Sequence, residues 1–295
     1  MYKKIVFFGF ISIIMLFFLI PYQWFRFRDG KLHVIFCNVG QGDAIFIRTP
    51  NGSDIIVDGG PNDAILSCLS KHMPFWDRTI ELVMLTHPHF DHFNGLVSVF
   101  NRYTVISFVT EKIENDTKSF ASLLSAVQKE KIKPRYVFAG STMHTNDGVT
   151  IRIVGPTNSF VAKTSPQGKI GESKEFGSLE TLVSYGSFDG LLTGDSQAEE
   201  LVEAVGMIPS KIEVLQIPHH GSKTGLDEQI LGGLDPKLAV ISVGKNKYGH
   251  PSSRILELLK TYGVKVLRTD LPAGRQVSNG DIEVISNGKT WYVRQ

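Results

Sequence analysis

The chain has 295 residues, 42% of them hydrophobic, enough to bury one large core or two small ones. Its 31 basic and 29 acidic side chains leave a formal net charge of +2, which excludes a strong global field for nucleic acid; such binding must come from a local patch. Cys37 and Cys68 are too few for a disulfide framework. Cys37 reads as a small buried core residue, and a single Cys37–Cys68 bridge is the less favoured alternative.

The first stretch reads as membrane-directed. Tyr2-Lys3-Lys4 gives a basic start, and Ile5 to Ile20 is apolar apart from Gly9 and Ser12. This run is shorter than the ~20 residues that span a bilayer as a helix. Pro21-Tyr22-Gln23-Trp24-Phe25 extends it with aromatics of the kind found at a membrane surface. No small-x-small cleavage site follows, which favours an anchor over a removed signal. Residues 1–30 are thus expected to be an anchor or signal segment, and 31–295 a globular domain. Orientation stays open on charge alone, because Arg26, Arg28 and Lys31 compete with Lys3 and Lys4.

From Leu32 short strands take over. Leu32 to Val39, Ala44 to Arg48 and Asp54 to Val57 are β-rich runs separated by Gly40-Gln41-Gly42-Asp43 and Pro50-Asn51-Gly52 turns. Asp58 ends the third and is placed to hydrogen-bond a metal-ligating imidazole. A helix is expected over Ala64 to His72, a strand over Ile80 to Leu85, and a helix from Asp91 or His92 to about Phe100. A strand over Val105 to Val109, a helix over Lys118 to Lys131, and strands over Arg135 to Phe138 and Val149 to Val154 follow, with His144 in a polar, solvated turn. Asn158 to Ser178 reads as a polar surface loop, and Leu182 to Tyr185 with Gly190 to Leu192 as a hairpin. Strand–helix alternation then resumes: helix Ala198 to Val205, strand Ile212 to Ile217, helix Glu228 to Gly232, strand Leu238 to Val243, helix Ser252 to Tyr262, strand Val264 to Arg268. Ile282 to Ile285 and Thr290 to Val293 form a hairpin about Asn287-Gly288.

The densest chemistry lies in Thr86-His87-Pro88-His89-Phe90-Asp91-His92-Phe93-Asn94-Gly95, after the apolar run Leu82-Val83-Met84-Leu85. Imidazole suits borderline divalent ions, and the carboxylate adds a hard oxygen. His87 and His89 are two apart, so on extended chain they face the same way and can grip one ion. Asp91 and His92 follow where the chain turns into a helix and can face a second. Asp195 stands beyond a strand and Gly194; a capping role for the helix behind it is the alternative. His219 and His220 follow another strand. As neighbours on extended chain they would point to opposite sides, so one is expected to coordinate, with His220 favoured and His219 left to contact substrate. Gly221-Ser222-Lys223-Thr224 offers an anion-friendly nest. His250 either assists the chemistry or caps the helix after it.

His-x-His-x-Asp-His after a strand resembles the signature of the metallo-β-lactamase fold, a superfamily of mostly two-metal hydrolases. Phe36-Cys37-Asn38-Val39-Gly40-Gln41-Gly42-Asp43-Ala44, Val57-Asp58-Gly59-Gly60, Leu192-Thr193-Gly194-Asp195, Pro218-His219-His220-Gly221-Ser222-Lys223-Thr224 and Tyr248-Gly249-His250-Pro251 narrow the likeness. Together they resemble the C-terminal domain of the ComEC competence proteins, which take up DNA through bacterial membranes. The resemblance implies an α/β (α+β) four-layer αβ/βα sandwich behind the N-terminal membrane helix, on the outer side of the cytoplasmic membrane. It implies two divalent ions, zinc or manganese: His87 and His89 on one, Asp91, His92 and His220 on the other, with Asp195 bridging. Such ions lower the pKa of water enough to give a nucleophile near neutral pH. Asp91, His219, His250 and Lys223 are the candidate catalytic groups.

Two departures bear on this. The superfamily's further histidine between the first motif and the bridging aspartate is missing from Phe176 to Leu182, so the first ion has three protein ligands, and a single tightly bound metal is the alternative. Leu271 to Asn279 looks like an insertion with no functional reading. The expected activity is a phosphodiesterase or nuclease acting on DNA, near Lys223, Lys245, Lys247 and Arg254, for competence or DNA uptake. Hydrolysis of another ester or a lactone, and a non-catalytic uptake role, are the alternatives. Because the many-helix channel of ComEC is not in this chain, an uptake role needs a separate channel protein.

Overall fold

The structure is a computed structural model that describes residues 2–173, 176–209, 211–271 and 280–294. The insertion-like stretch therefore lies, from residue 272 to 279, outside the described residues. In chain order α1 (Tyr2–Phe27) precedes β1 (Leu32–Phe36), β2 (Ile45–Arg48), β3 (Asp54–Val57), α2 (Ala64–His72), β4 (Thr79–Ile80) and β5 (Leu82–Leu85). Then come α3 (Phe90–Arg102), β6 (Thr104–Val105), β7 (Phe108–Thr110), α4 (Lys118–Lys129), β8 (Arg135–Tyr136), β9 (Thr142–His144), β10 (Val149–Gly155) and α5 (Asn158–Thr164). The rest comprises β11 (Glu180–Tyr185), β12 (Phe188–Leu192), α6 (Ala198–Val205), β13 (Val214–Gln216), a 3₁₀ turn (Pro218–Gly221), α7 (Glu228–Leu234), β14 (Leu238–Ile241), α8 (Ser253–Thr261), β15 (Lys265–Arg268), β16 (Ile282–Ser286) and β17 (Trp291–Arg294).

Among the described residues two large sheets form, one of eight strands ordered β17-β16-β1-β2-β3-β5-β7-β8 and one of seven ordered β15-β14-β13-β12-β11-β10-β9, beside a small one of β4 and β6. Alternation along each strand explains the layering, because successive side chains point to opposite faces. Val34, Phe36, Ile45 and Ile47 meet Val183, Leu192, Val214 and Val240 of the other sheet. Ile35, Cys37 and Phe46 point the other way, onto Leu69 of α2, Leu96 of α3 and Leu123 of α4. On the far side Leu191, Leu215 and Ile241 pack on Leu201 of α6, Ile230 of α7 and Ile255 of α8. These three apolar layers define the expected helix–sheet–sheet–helix sandwich. Each fully buried side chain of this size contributes about 1.5–3 kcal/mol.

Several local expectations are corrected. Ile80 to Leu85 is not one strand: Glu81 turns aside, its N–H and carboxylate both pairing with the Asp54 backbone. That leaves β4 to pair with β6 in a small separate sheet, while β5 joins the large one. Val105 to Val109 divides in the same way. Asn158 to Ser178 is not simply a surface loop. Thr157 caps α5 by accepting from Phe160 N (3.1 Å), the helix buries Phe160, Val161 and Thr164, and Phe176, Ser178 and Leu179 are buried as well. His144 lies on the exposed edge strand β9, its Nδ1 3.2 Å from Thr150 Oγ1. Cys37 and Cys68 are joined in a disulfide with Cα atoms 5.8 Å apart. Cys37 points from the end of β1 into the helix layer, where the buried face of α2 (Ile65, Cys68, Leu69) presents its partner.

α1 is a 26-residue helix whose described apolar side chains, Phe17, Phe18 and Phe25 among them, are largely exposed. Its C-terminal end touches the domain: Gln23 Oε1 accepts from Phe75 N (2.9 Å), and Arg48 Nε donates to the Phe27 carbonyl (3.1 Å). Among the described residues no helix is long and apolar enough to cross a membrane.

Candidate metal centre

The parallel strands β3, β5, β12, β13 and β14 end on one side of the sandwich, and the residues just past them converge. β5 hands the chain to Thr86 and His87, after which Asp91 and His92 occupy the first turn of α3. That turn is pressed onto Asp58-Gly59-Gly60: Gly59 N donates to the His92 carbonyl (2.7 Å) and Gly95 N to that of Gly60 (2.8 Å). A Cβ on Gly95 would stand 2.0 Å from Gly59 O, so only glycine permits this approach.

Asp195, 3% exposed, lies at the centre. Its Oδ1 is 3.3 Å from His92 Nε2 and 3.4 Å from His220 Nε2; its Oδ2 is 3.6 Å from His219 Nε2 and 3.8 Å from His87 Nε2. His87, His89 and Asp195 offer ligand atoms within 4.8 Å of one another, and so do Asp91, His92 and His220. The capping alternative for Asp195 fails, since Gln197 stands at the α6 N-cap. His250 does not cap α8 either: Ser252 does, its Oγ accepting from Ile255 N (3.4 Å).

Both His219 and His220 reach the centre, against the expectation from extended chain. They sit in a tight turn with left-handed backbone (φ 50° and 54°), which aims both rings at Asp195 instead of splaying them. His220 is buried and His219 is partly open. The His250 ring is 5.5 Å from that of His219 and 6.5 Å from that of His220. Lys223 lies exposed on the rim, where its backbone carbonyl accepts from Arg254.

Neighbouring groups fix which ring nitrogen faces inward. His92 Nδ1 donates to Asp58 Oδ2 (2.7 Å) and His220 Nδ1 to the Ser242 carbonyl (3.0 Å), leaving both Nε2 atoms for the centre. Asp58 is itself held by Thr86, whose N–H and hydroxyl donate to its two oxygens (2.8 and 2.7 Å). Sequence reading left out three more contributors. Asp43, buried in the Gly-x-Gly-Asp turn, brings its oxygens to 3.6 Å from His220 Nδ1 and 3.9 Å from His92 Nδ1. Ser178 Oγ accepts from Asp195 N (3.1 Å) and lies 3.4 Å from His87 Nδ1. Phe176 stacks on the His87 ring at 5.0 Å. Asp43 was visible in a motif; Ser178 and Phe176 carried no signal.

The electrostatics are those of an anion set among imidazoles. Burial works against charge on Asp195, but His220, His92 and His219 overcome it and hold its carboxyl well below the usual range. Burial lowers His92 too, yet Asp195 and Asp58 hold it well above its ordinary value; Asp195 and Asp43 do the same for His220. Burial, then His92 and His89, push His87 well down. Burial raises Asp58.

Three buried atoms aimed at the centre, His92 Nε2, His220 Nε2 and Asp195 Oδ1, have no hydrogen-bond partner among the described residues. Leaving such atoms unsatisfied costs about 1–3 kcal/mol each. Two nitrogens and a carboxylate oxygen make a donor set that a borderline divalent cation satisfies at once, so the residues fit a metal. A second grouping, Cys68, His72 and Asp281, lacks a free thiolate because Cys68 is in the disulfide.

The family model of the metallo-beta-lactamase superfamily matches residues 37–244, well over half the chain, and the chain belongs to that superfamily, whose fold binds divalent metals. Within it, competence proteins of the ComEC type are among its curated relatives. The chain is 27% identical over 261 residues to ComE operon protein 3 of Bacillus subtilis (strain 168), covering 82% of this chain and 32% of that one. It is 27% identical over 237 residues to Recombination protein 2 of Haemophilus influenzae, covering 79% and 27%. The chain thus spans about a third or less of those relatives. Among solved structures it is similar to the metallo-beta-lactamase fold protein YhfI from Bacillus subtilis (TM-score 0.51, 12% identity, 80% of this chain and 96% of that one). Zn(2+)-bound PqqB from Methylobacterium extorquens is equally similar (TM-score 0.51, 12% identity, 81% and 98%). At these identities the likeness shows the fold alone.

Proposed function

We propose that the chain is a two-metal phosphodiesterase that cleaves DNA outside the cytoplasmic membrane, in the service of DNA uptake. One observation carries the reading: the two oxygens of Asp195 face two separate groups of imidazoles, Oδ1 toward His92 and His220, Oδ2 toward His87 and His219. A carboxylate so divided suits a bridge between two ions. His87, His89 and Asp195 would hold one, and Asp91, His92, His220 and Asp195 the other. His219, 29% exposed with its Nε2 3.6 Å from Asp195 Oδ2, stands on the same side as His87 and is open to substrate. When bound, zinc or manganese ions supply a Lewis acid for a phosphoryl oxygen and lower the pKa of water.

The chain's own groups do the rest. Asp58 and the Ser242 carbonyl keep His92 and His220 in the tautomer that presents Nε2. Ser178 and Thr86 brace Asp195 and His87 from behind. His250, on the open side, donates to a phosphoryl or leaving-group oxygen, and Lys223, on the rim, neutralises the strand's charge.

Location outside the membrane is supported by the disulfide, since such bonds persist in oxidising compartments. The exposed aromatic and aliphatic side chains of α1 support its reading as an anchor, with Arg28 stacked on Trp24 (3.9 Å) at its end. The test is digestion of plasmid DNA and bis-p-nitrophenyl phosphate by purified protein across zinc, manganese and magnesium. Turnover of a lactone or thioester with neither phosphodiester cleaved would transfer the site to another hydrolase class.

A further inference from the structure

Beside the centre, past Asp91, opens a cavity of about 610 Å³ whose walls include Phe90, Asp91, Lys245, Lys247 and Tyr248. Its size is within the ~300–1,000 Å³ of small-molecule sites. Phe90 is 50% exposed and Tyr248 66% exposed, and both lysines are exposed. Large aromatic rings left this open beside a polar centre point to a binding surface.

The rings are also held in place. Asn246 knots the loop that carries Tyr248: its Nδ2 donates to the carbonyls of Gly244 (2.9 Å) and His250 (2.7 Å), and its Oδ1 accepts from Tyr248 N (3.0 Å) and His250 N (3.1 Å). The Tyr248 ring lies 5.9 Å from that of His250, tilted by 34°. Phe90 opens α3, its ring edge-on to buried Phe93 at 6.0 Å. Such preorganised rings bind without a large ordering cost.

We propose that this cavity is a nucleobase-stacking subsite, in which Phe90 and Tyr248 take the face of an unpaired base beside the scissile phosphate. Lys245 and Lys247 neutralise the phosphates on either side. The inference rests on the phosphodiesterase reading and narrows its substrate to single-stranded nucleic acid. In a duplex both faces of a base are covered by its neighbours; an unpaired strand exposes them, and stacking on aromatics tolerates any sequence.

The test uses the full chain in detergent, with a fluorescent single strand, a blunt duplex of the same sequence, and the single strand carrying abasic sites. Binding is read by anisotropy on the metal-loaded protein with strands of hydrolysis-resistant phosphorothioate backbone, and cleavage by steady-state kinetics with the ordinary strands. Tyr248→Ala and Phe90→Ala are each expected to raise Kd and KM for the single strand about tenfold, the loss of one stacked base. Tyr248→Phe should restore both, and the abasic strand should not discriminate between variants. Equal Kd for single strand, duplex and abasic strand, or unchanged Kd in both alanine variants, overturns the subsite even if DNA is cleaved. Tyr248-dependent binding of a single strand that is never cleaved keeps the subsite and removes the hydrolase reading instead.

Discussion

Taking away the Asp195 carboxylate removes the oxygen that His92 Nε2 and His220 Nε2 share and leaves them only Asp91. Asp195→Ala should therefore lose metal as well as activity, with phosphodiesterase turnover down more than ~100-fold, beyond the ~10–100-fold typical of groups that only orient ligands. Elemental analysis of the variant checks this; full metal content with wild-type turnover would remove Asp195 from the centre. Asp58→Asn belongs to the milder class. It keeps the shape but exchanges a carboxylate for an amide opposite His92 Nδ1, and metal affinity should fall about 10–100-fold. Titration with a competing chelator measures it. The His87–His92 stretch could be read directly because its imidazoles and carboxylate are packed into a few residues after a strand. Asp43 stood in a visible Gly-x-Gly-Asp turn without a role, and Ser178 carried no signal, since it meets His87 and Asp195 only once the two sheets close. For His219 the assumption of extended backbone misled; two successive left-handed residues bring its Nε2 to 3.6 Å from Asp195 Oδ2.

Between β1 and α2, the Cys37–Cys68 bridge closes a loop with sequence separation 31, which constrains the unfolded chain by roughly 3–4 kcal/mol. Reduction, or Cys68→Ser, should lower Tm measurably; differential scanning calorimetry with and without reductant reads it, and coincident curves would show the bond contributes nothing. Nothing local marks two cysteines as partners, so pairing depended on a helix face that only the fold brings to the strand. α5 was hidden for a related reason: its polar composition masks a Thr157 cap and a narrow buried face. The hairpins and α2, α6 and α8 were legible because their patterns are local, with Ile255, Leu258 and Leu259 of α8 spaced for one buried face.

Behind the candidate centre, Glu111 just past β7, Glu180 of β11 and Glu200 of α6 are fully or almost fully buried. Burial pushes the Glu180 carboxyl up to about 8. A folded-state pKa above the unfolded value means unfolding releases a proton between about pH 4.5 and 8, so stability falls as pH rises through that window, by up to ~1.4 kcal/mol per pH unit. Glu180→Gln should flatten the fall in Tm from pH 5 to 8 and melt higher than wild type at pH 8. Parallel Tm curves for the two proteins would assign the slope to other groups. The layered architecture was implied by the family resemblance, which the strand–helix alternation fits; these buried acids were not legible, because their burial follows from how the sandwich closes.

Whether the converging imidazoles and carboxylates hold two ions that cleave DNA is answered by counting metal in the purified full chain while following DNA digestion through chelation and re-addition. Close to two zinc or manganese ions per chain, with cleavage abolished by chelator and restored by the same metal, is the predicted result. A chain free of stoichiometric metal, or DNA cleavage indifferent to its removal, contradicts it.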